Sequence, residues 1–351
     1  MRALFLPGDR RVEIRDVDRP SVARGEVLIE MRAAGLCGSD LHMHYRPSAQ
    51  ERRGTIFDLR TNPDVVPGHE PSGVIAEVGP GVDYLKKGDR VAVHHMGGCG
   101  HCMECRRGFD INCPQKWGTY GLDKNGAMAD FMVTRARDCV IVPDRVSFAE
   151  ACYYSCGAGT GYLALRRAGL GVGDSVAVVG LGPVGLAAGY FAHLAGAVVT
   201  GFDPVEQRRE FALEHGFAKT AAPPEAGDAD AIRSLNGIGA DVVVETSGFS
   251  AGRSLAFDLA RIGGRIVCVG FAEAENNVDI QRQIIQKQLD VRGAWMFPLP
   301  DLQEMLDSVA RRNVSIESLI TARFSIEDGE KAWASFDAGS LGKTVLTWPN
   351  G

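Results

Sequence analysis

The chain contains no uninterrupted apolar run as long as the roughly eighteen residues a membrane-spanning helix needs. Its start, "MRALFLPGDRRVEIRD", offers only a tiny apolar run before charges resume, so no secretory signal peptide is expected there. An excess of basic residues is missing too. The formal net charge of -6 argues against a nucleic-acid surface. Basic pairs such as Arg52-Arg53 and Arg208-Arg209 read most simply as solvated faces. Internal repeats and low-complexity tracts are also lacking. What is present is a chain of 351 residues, 45% apolar and 23% charged, which suits a soluble globular protein of two domains.

Cysteine is not scarce. Nine cysteines without an export signal suggest a reducing, cytoplasmic setting, where closely spaced thiols are metal ligands more often than disulfides. Four of them fall within fifteen positions, "CGHCMECRRGFDINC". Cys99, Cys102, Cys105 and Cys113 follow C-x2-C-x2-C-x7-C, and two-residue spacers bring thiolates within reach of one tetrahedral ion. Four sulfurs leave no vacancy for substrate, so such a zinc is structural; an iron–sulfur cluster is the rival reading. His101 lies inside the loop but is surplus to the ligand count, and an exposed position is expected for it.

The first 150 residues are punctuated by Gly, Pro and Asp between short apolar runs such as "EVLIEMRAAG", "SGVIAEVG" and "DRVAVHH", which predicts an irregular, mostly antiparallel β domain. Beyond that the texture changes. "SVAVV" is a buried strand, "GLGPVG" a glycine turn, and "PVGLAAGYFAHLAG" a helix leading to a second strand that ends at Asp203. "VEQRREFALEHG", "SAGRSLAFDLARIG", "LPDLQEMLDSVARR" and "SIEDGEKAWASF" read as further helices, "ADVVVETSG", "GGRIVCVGF" and "KTVLTW" as further strands. Strand alternating with helix implies a doubly wound parallel α/β sheet.

Gly180, Gly182 and Gly185, with Pro183 and Val184 between, fit G-x-G-x-x-G in the strand–turn–helix context of a dinucleotide-binding Rossmann unit. Gly180 permits the tight turn, Gly182 lets the backbone approach a pyrophosphate, and Gly185 lets helix and strand pack closely. Unpaired N–H groups at the helix start receive the phosphates. Asp203, 23 residues after Gly180, would hold the ribose hydroxyls of NAD and repel a 2′-phosphate. Arg208 and Arg209 keep NADP open as a second reading. A glycine turn that binds no nucleotide is the structural alternative.

Three further segments, "GLCGSDLH" (35–42), "PGHEPSG" (67–73) and "SCGAGTGY" (155–162), complete a pattern. With "GDRVA" at 88–92, the cysteine loop and the glycine turn, all in order, the chain resembles the zinc-dependent medium-chain dehydrogenase/reductase family of alcohol, polyol and threonine dehydrogenases almost end to end. The resemblance implies that Cys37, His69 and Cys156 are the three ligands of a catalytic zinc, the Cys2His set known for alcohol dehydrogenase. It places Glu70 behind the metal, exchanging with bound water, and Asp40 against the histidine ligand. Ser39 and His42 match the proton relay, and Thr160 a residue close to the nicotinamide. Three ligands leave a corner for the substrate oxygen, zinc stabilises the alkoxide, and hydride passes to the nicotinamide. Read singly, Cys37 and Cys156 could equally be buried small residues and His69 a satisfied core histidine. Cys139, Cys152 and Cys268 match no ligand position and read as core thiols.

The chain also departs from the family. The charged stretch "YRPSAQERRGTIFDLRTNPD" lengthens the gap between Cys37 and His69 and reads as an excursion near the site mouth or a subunit contact. His95 falls where the family places a residue bordering the substrate pocket, which with His94 suggests a hydroxylated substrate. Trp117 and Trp295 are aromatic pocket candidates, with core packing as the alternative. Sorbitol-type dehydrogenases carry a glutamate where this chain has Cys156, and threonine dehydrogenases an aspartate, so Cys156 points to the alcohol-dehydrogenase type. A segment between Cys113 and Cys156 shorter than that of the dimeric animal and plant enzymes favours a homotetramer over a dimer.

The resulting expectation is a GroES-like domain, residues 1–155, holding both zincs, with a C-terminal return over 296–351, and an NAD-binding Rossmann domain over 156–295. The active site is expected in the cleft between them. The expected activity is hydride transfer between NAD and a secondary or polyhydroxylated alcohol. The rivals are a zinc-independent NAD(P)H reductase of the same superfamily and a non-catalytic NAD-sensing zinc protein.

Overall fold

The computed structural model describes residues 1–47, 55–56, 59–60, 64–223, 237–272 and 278–349. Most of the charged excursion after Tyr45, including Arg52 and Arg53, lies outside the described residues. The chain divides into two compact units, Met1–Cys156 with Phe297–Gly351, and Gly157–Met296.

The first unit is built on a seven-stranded sheet. Its strands run in the order Cys139–Ile141, Arg90–Val93, Pro71–Val78, Glu26–Gly35, Lys343–Thr347 and Ile320–Ser325, with Phe131–Arg135 also paired to Glu26–Gly35. Every pairing is antiparallel except that of Ile320–Ser325 with Lys343–Thr347. Glu26–Gly35 is central and buried on both faces, so its "VLIEMRAA" run is nearly all apolar. Leu4, Ile29, Met31, Trp333 and Leu346 are among the residues of its core.

The register of this sheet decides where the chemistry falls. Ala34 pairs with Pro71, and Leu346 pairs with Ala34 from the other side. The end of one strand, the start of a second and the last strand of the chain therefore meet at one point. The Gly35 N–H donates to the Glu70 carbonyl at 3.1 Å, and Leu36 N–H to the Thr344 carbonyl at 3.0 Å. A helix, Phe148–Tyr154, delivers Cys156 to the same point. Its entry is a full capping box: Ser147 Oγ accepts from the Glu150 N–H, and Glu150 Oε2 accepts from the Ser147 N–H. Glu150 Oε1 also accepts from Ser315 Oγ and the Ile316 N–H, tying the helix to the C-terminal return. Ser72 Oγ, from the second of those strands, donates to the Phe148 carbonyl at 2.6 Å.

The second unit is a six-stranded parallel sheet in the order Lys219–Ala221, Val198–Phe202, Ser175–Val179, Ala240–Glu245, Ala260–Cys268, Asp290–Gly293. That order, doubled back on its first strand, is a Rossmann sheet. The helix expected over "SAGRSLAFDLARIG" ends at Leu259, and its last residues open the next strand. Ala260 is extended and pairs with Ala240, so the sheet ladder captures residues whose local pattern looked helical. Cys139 and Cys152 are buried core thiols, whereas Cys268 is half-buried.

Candidate metal centres and dinucleotide site

Cys37, His69, Glu70 and Cys156 each place one donor atom within 4.8 Å of all the others. The donor set is two thiols, an imidazole and a carboxylate, and it is nearly closed to solvent. His69 Nδ1 faces Asp40 Oδ1 at 3.1 Å, and Asp40 is fully buried. Asp40 thereby accepts a hydrogen bond from Nδ1–H and favours the tautomer whose Nε2 lone pair faces the cluster, the one that a metal ligand requires. Ser39 Oγ donates to Cys37 Sγ at 3.2 Å and lies 3.4 Å from His69 Nε2.

The electrostatics are those of a site arranged for a cation. A bond from Cys156 lowers the Cys37 thiol well below its ordinary value against the cost of burial, and His69 adds to the effect. The same contact, with burial, raises the Cys156 thiol. Burial works against a charged His69, but Asp40 and Cys37 outweigh it and raise its pKa. Cys37, His69 and Cys156 are the residues that would hold a divalent ion, which would favour the thiolate form of both cysteines. Ligand lengths of about 2.0–2.3 Å for zinc fit donors this close together.

Glu70 faces a second partner. Lys343 Nζ lies 2.5 Å from Glu70 Oε2, and both side chains are buried. Burial raises the Glu70 carboxyl to about 7, with Lys343 opposing the shift. Burial likewise disfavours the Lys343 ammonium, but Glu70, Cys37 and Cys156 overcome it and raise its pKa. The sequence reading did not find Lys343, which lies in an ordinary strand 273 positions (343 − 70) from its partner.

Cys99, Cys102, Cys105 and Cys113 form the other cluster, again with all sulfurs within 4.8 Å. Cys99 Sγ lies 4.0 Å from Cys105 Sγ, and Cys102 Sγ 3.7 Å from Cys113 Sγ. The Cys99 N–H points at Cys113 Sγ and the Cys102 N–H at Cys99 Sγ, the main-chain bonds that steady thiolates. Backbone hydrogen bonding at His101 leads the effects that lower Cys99 to about 6. The imidazole of His101 is exposed and turned to the Cys99 carbonyl at 3.2 Å. None of the nine cysteines is in a disulfide.

The other candidates divide. His95 is buried, with its ring 4.7 Å from that of His69 and its Nδ1 without a partner among the described residues. His94 is pinned between the Met96 and Phe297 carbonyls at 3.1 and 2.7 Å, which makes it a structural clasp. His42 is exposed on the turn after Asp40, its pKa lowered first by partial desolvation and then by Arg46. Trp117 is half-buried, packs against the core between Lys124 and Arg135 and against Tyr120, and also lines a cavity with Phe5, Val66 and Lys124. Trp295 lies in the second unit near Phe271, and Thr160 is buried in the helix Gly157–Ala168.

In the second unit Gly180 has φ +89, and a Cβ there would lie 2.8 Å from the Ser247 nitrogen. A Cβ on Gly185 would lie 1.9 Å from the Gly180 carbonyl oxygen, but one on Gly182 would meet nothing within 4 Å. The turn is thus packed on its inner side and open where a phosphate would approach. Pro183 and Val184 begin the helix Pro183–Leu194, directing its first N–H groups at that opening. A cavity of about 770 Å³ lies over the turn, lined by Gly180, Gly182, Asp203, Arg208, Thr246 and Ser250 among others. The Asp203 carboxylate accepts from the Leu181 and Val205 N–H groups at 2.8 and 2.9 Å, with Arg208 at 3.7 Å. Arg209 is occupied by the Asp203 and Pro204 carbonyls.

Comparison with known proteins identifies the family. Residues 23–144 match the family model "Alcohol dehydrogenase GroES-like domain" and residues 183–311 "Zinc-binding dehydrogenase". The uncharacterized zinc-type alcohol dehydrogenase-like protein YphC of Escherichia coli (strain K12) is 33% identical over 100% of this chain and 99% of its own length. Sorbitol dehydrogenase of Bacillus subtilis (strain 168) is 30% identical over 95% of this chain and 92% of its own. Among solved structures, acetophenone reductase from Geotrichum candidum NBRC 4597 in complex with NAD superposes with a TM-score of 0.84 at 25% identity, covering 99% of this chain and 96% of that one. The chain belongs to the zinc-type alcohol dehydrogenase family of medium-chain dehydrogenases and is an oxidoreductase.

Proposed function

We propose that the protein is a zinc-dependent, NAD-linked dehydrogenase acting on a secondary or polyhydroxylated alcohol or the matching carbonyl. The carrying observation is the convergence of Cys37, His69 and Cys156 on one point, with Asp40 fixing the imidazole from behind. These three residues would hold the catalytic zinc, and Cys99, Cys102, Cys105 and Cys113 the structural one. A zinc ion there supplies Lewis acidity, which lets a hydroxyl ionise near neutral pH. NAD supplies the hydride acceptor.

The chain's own groups do the rest. Ser39 Oγ, already donating into the cluster, relays the hydroxyl proton towards His42, whose exposed ring hands it to solvent. Asp203 receives the ribose hydroxyls of NAD, and its negative charge disfavours the 2′-phosphate of NADP. Arg208, 3.7 Å from that carboxylate, partly offsets the repulsion, so NADP is a weaker cofactor and not a forbidden one. His95, buried beside His69 with Nδ1 unpartnered, offers a second hydroxyl of the substrate a hydrogen bond. That supports a polyol over a plain aliphatic alcohol. The assembly we propose is a homotetramer in a reducing, cytoplasmic compartment; nucleic acid and membrane are not proposed partners.

The test is a screen of secondary alcohols, polyols, cyclitols and amino alcohols with NAD and NADP, followed at 340 nm, alongside zinc quantification. Two zincs per chain and NAD-linked turnover are expected. One zinc per chain with reductase activity would favour a zinc-independent enzyme. NAD binding with no turnover across the panel would favour a sensor.

A further inference from the structure

Between Asp40 and Pro47 the backbone leaves the ordinary helical path. Leu41–Tyr45 form one wide π-helical turn, closed by the Arg46 N–H donating to the Leu41 carbonyl, five residues back, at 2.8 Å. Such turns are rare, occur singly and are frequent at functional sites. The entry to this one is held by Asp40, buried against His69. Its inner face carries Leu41, Met43, His44 and Tyr45, with the Tyr45 ring stacked on Trp333 at 5.4 Å between centroids. His42 alone of the five is exposed. With no hydrogen bond to another described residue, its ring is aimed by the backbone of the turn.

The exit is held twice over. Asp337 ends the helix Gly329–Asp337 and accepts from Arg46 Nε at 2.5 Å through one oxygen and from Arg10 Nε at 2.9 Å through the other. Asp9 and Arg10 also donate their N–H groups to the Pro47 and Tyr45 carbonyls, at 2.9 and 2.8 Å. Both do so from left-handed backbone, φ +54 and +57, directly after Gly8 at +95. Two successive non-glycine residues there are strained. Strain of this kind persists where the surroundings over-determine it, and it clusters at functional sites. Three segments far apart in the sequence thus converge on the end of the turn that carries His42.

We propose that Arg46 and Asp337 are positioning residues for the proton relay, which with the Gly8–Arg10 segment lock the wide turn and so aim His42. The proposal rests on the reading of His42 as the exit of that relay. A purely electrostatic effect is the competing account, and the charges separate the two. Partial desolvation leads in lowering the His42 pKa; among the charged groups facing the ring, Arg46 lowers it further, whereas Cys37 and Asp337 raise it. Removing Arg46 or Asp337 would therefore shift His42 in opposite directions, but either removal unlocks the turn.

The experiment uses the full chain, with Asp337→Asn and Arg46→Gln made singly and each combined with His42→Gln. Hydrogen exchange at the Arg46 amide needs neither metal nor turnover, and it should speed at least about tenfold in both single variants. With NAD and the fastest alcohol of the panel above, kcat/KM should fall about tenfold in both, with zinc content unchanged. That loss is a fraction of the roughly 10²–10⁴-fold that a positioned acid–base group contributes. In the His42→Gln background neither substitution should slow turnover further, because the ring they aim is gone. A tertiary-amine buffer at rising concentration should restore part of the rate lost in the single variants. If Asp337→Asn does not fold, Arg46→Gln, at a partly exposed side chain, carries the test. Opposite changes in rate, losses that add to that of His42→Gln, or unchanged exchange at Arg46 overturn the proposal. Full turnover in His42→Gln alone, or no turnover with any alcohol of the panel, would instead overturn the relay reading beneath it.

Discussion

Asp40 and Cys37 show how much of the site rests on single atoms. With Asp40 accepting a hydrogen bond from His69 Nδ1–H, the ring would present Nε2 to the proposed metal without a tautomer change. Asp40→Asn is expected to lower zinc affinity at the catalytic centre by roughly ten- to a hundredfold while sparing the cysteine cluster. Zinc titration of wild type and variant would measure it. Cys37→Ser should abolish turnover with NAD affinity unchanged, because the dinucleotide groups belong to the other unit; calorimetric NAD binding on the folded variant checks this. That these residues come together was expected from the sequence because "CGSDLH" and "GHEPSG" carry the family resemblance, which implies their roles. Lys343 was not legible. A lysine opening a strand carries no local mark of a carboxylate that only folding brings to it.

Among the elements, the glycine turn and the capped helix before Cys156 do the positioning. Gly185→Ala would force a methyl within 1.9 Å of the Gly180 carbonyl oxygen. The helix must then move off the strand, and NAD affinity should fall more than tenfold with a lower melting temperature. Ser147→Ala removes one half of a capping box and is expected to cost about 1 kcal/mol in a denaturant titration. Strands and glycine turn could be read from apolar runs and punctuation, because buried parallel strands and tight turns restrict residue type locally. The helix–strand boundary at Ala260 could not, since pairing with Ala240 decided it.

For the whole molecule, metal and pH are the levers. If both clusters hold zinc as proposed, stripping it with a chelator is expected to lower the melting temperature of the first unit and leave the proposed NAD binding by the second; Cys102→Ser should reproduce the stability loss without metal removal. Asp241 governs an acid limit in the second unit. Burial opposes its charge, but bonds from Ser175 and Arg261 push it down to about 2. A carboxylate with a lowered native pKa stabilises at pH above its unfolded value and loses that stabilisation as pH falls towards 2. Asp241→Asn should therefore cost about 1 kcal/mol at neutral pH once solvent screening of this partly exposed group is allowed for, and flatten the stability profile between about pH 4 and 2. Denaturant melts across that range would show whether the slope disappears.

From the amino-acid order alone came the two-domain plan, the metal-binding residue types and the nucleotide turn. Each depends on side-chain chemistry or on spacings of a few residues, which act before any distant parts meet. Tertiary structure decided the rest: that Trp117 packs on the core, that His94 clasps the Phe297 carbonyl, and that Glu70 is shared between a metal position and Lys343. Those outcomes depend on which strands become neighbours and in what register, and the free energy that selects them is spread over the buried core of each unit.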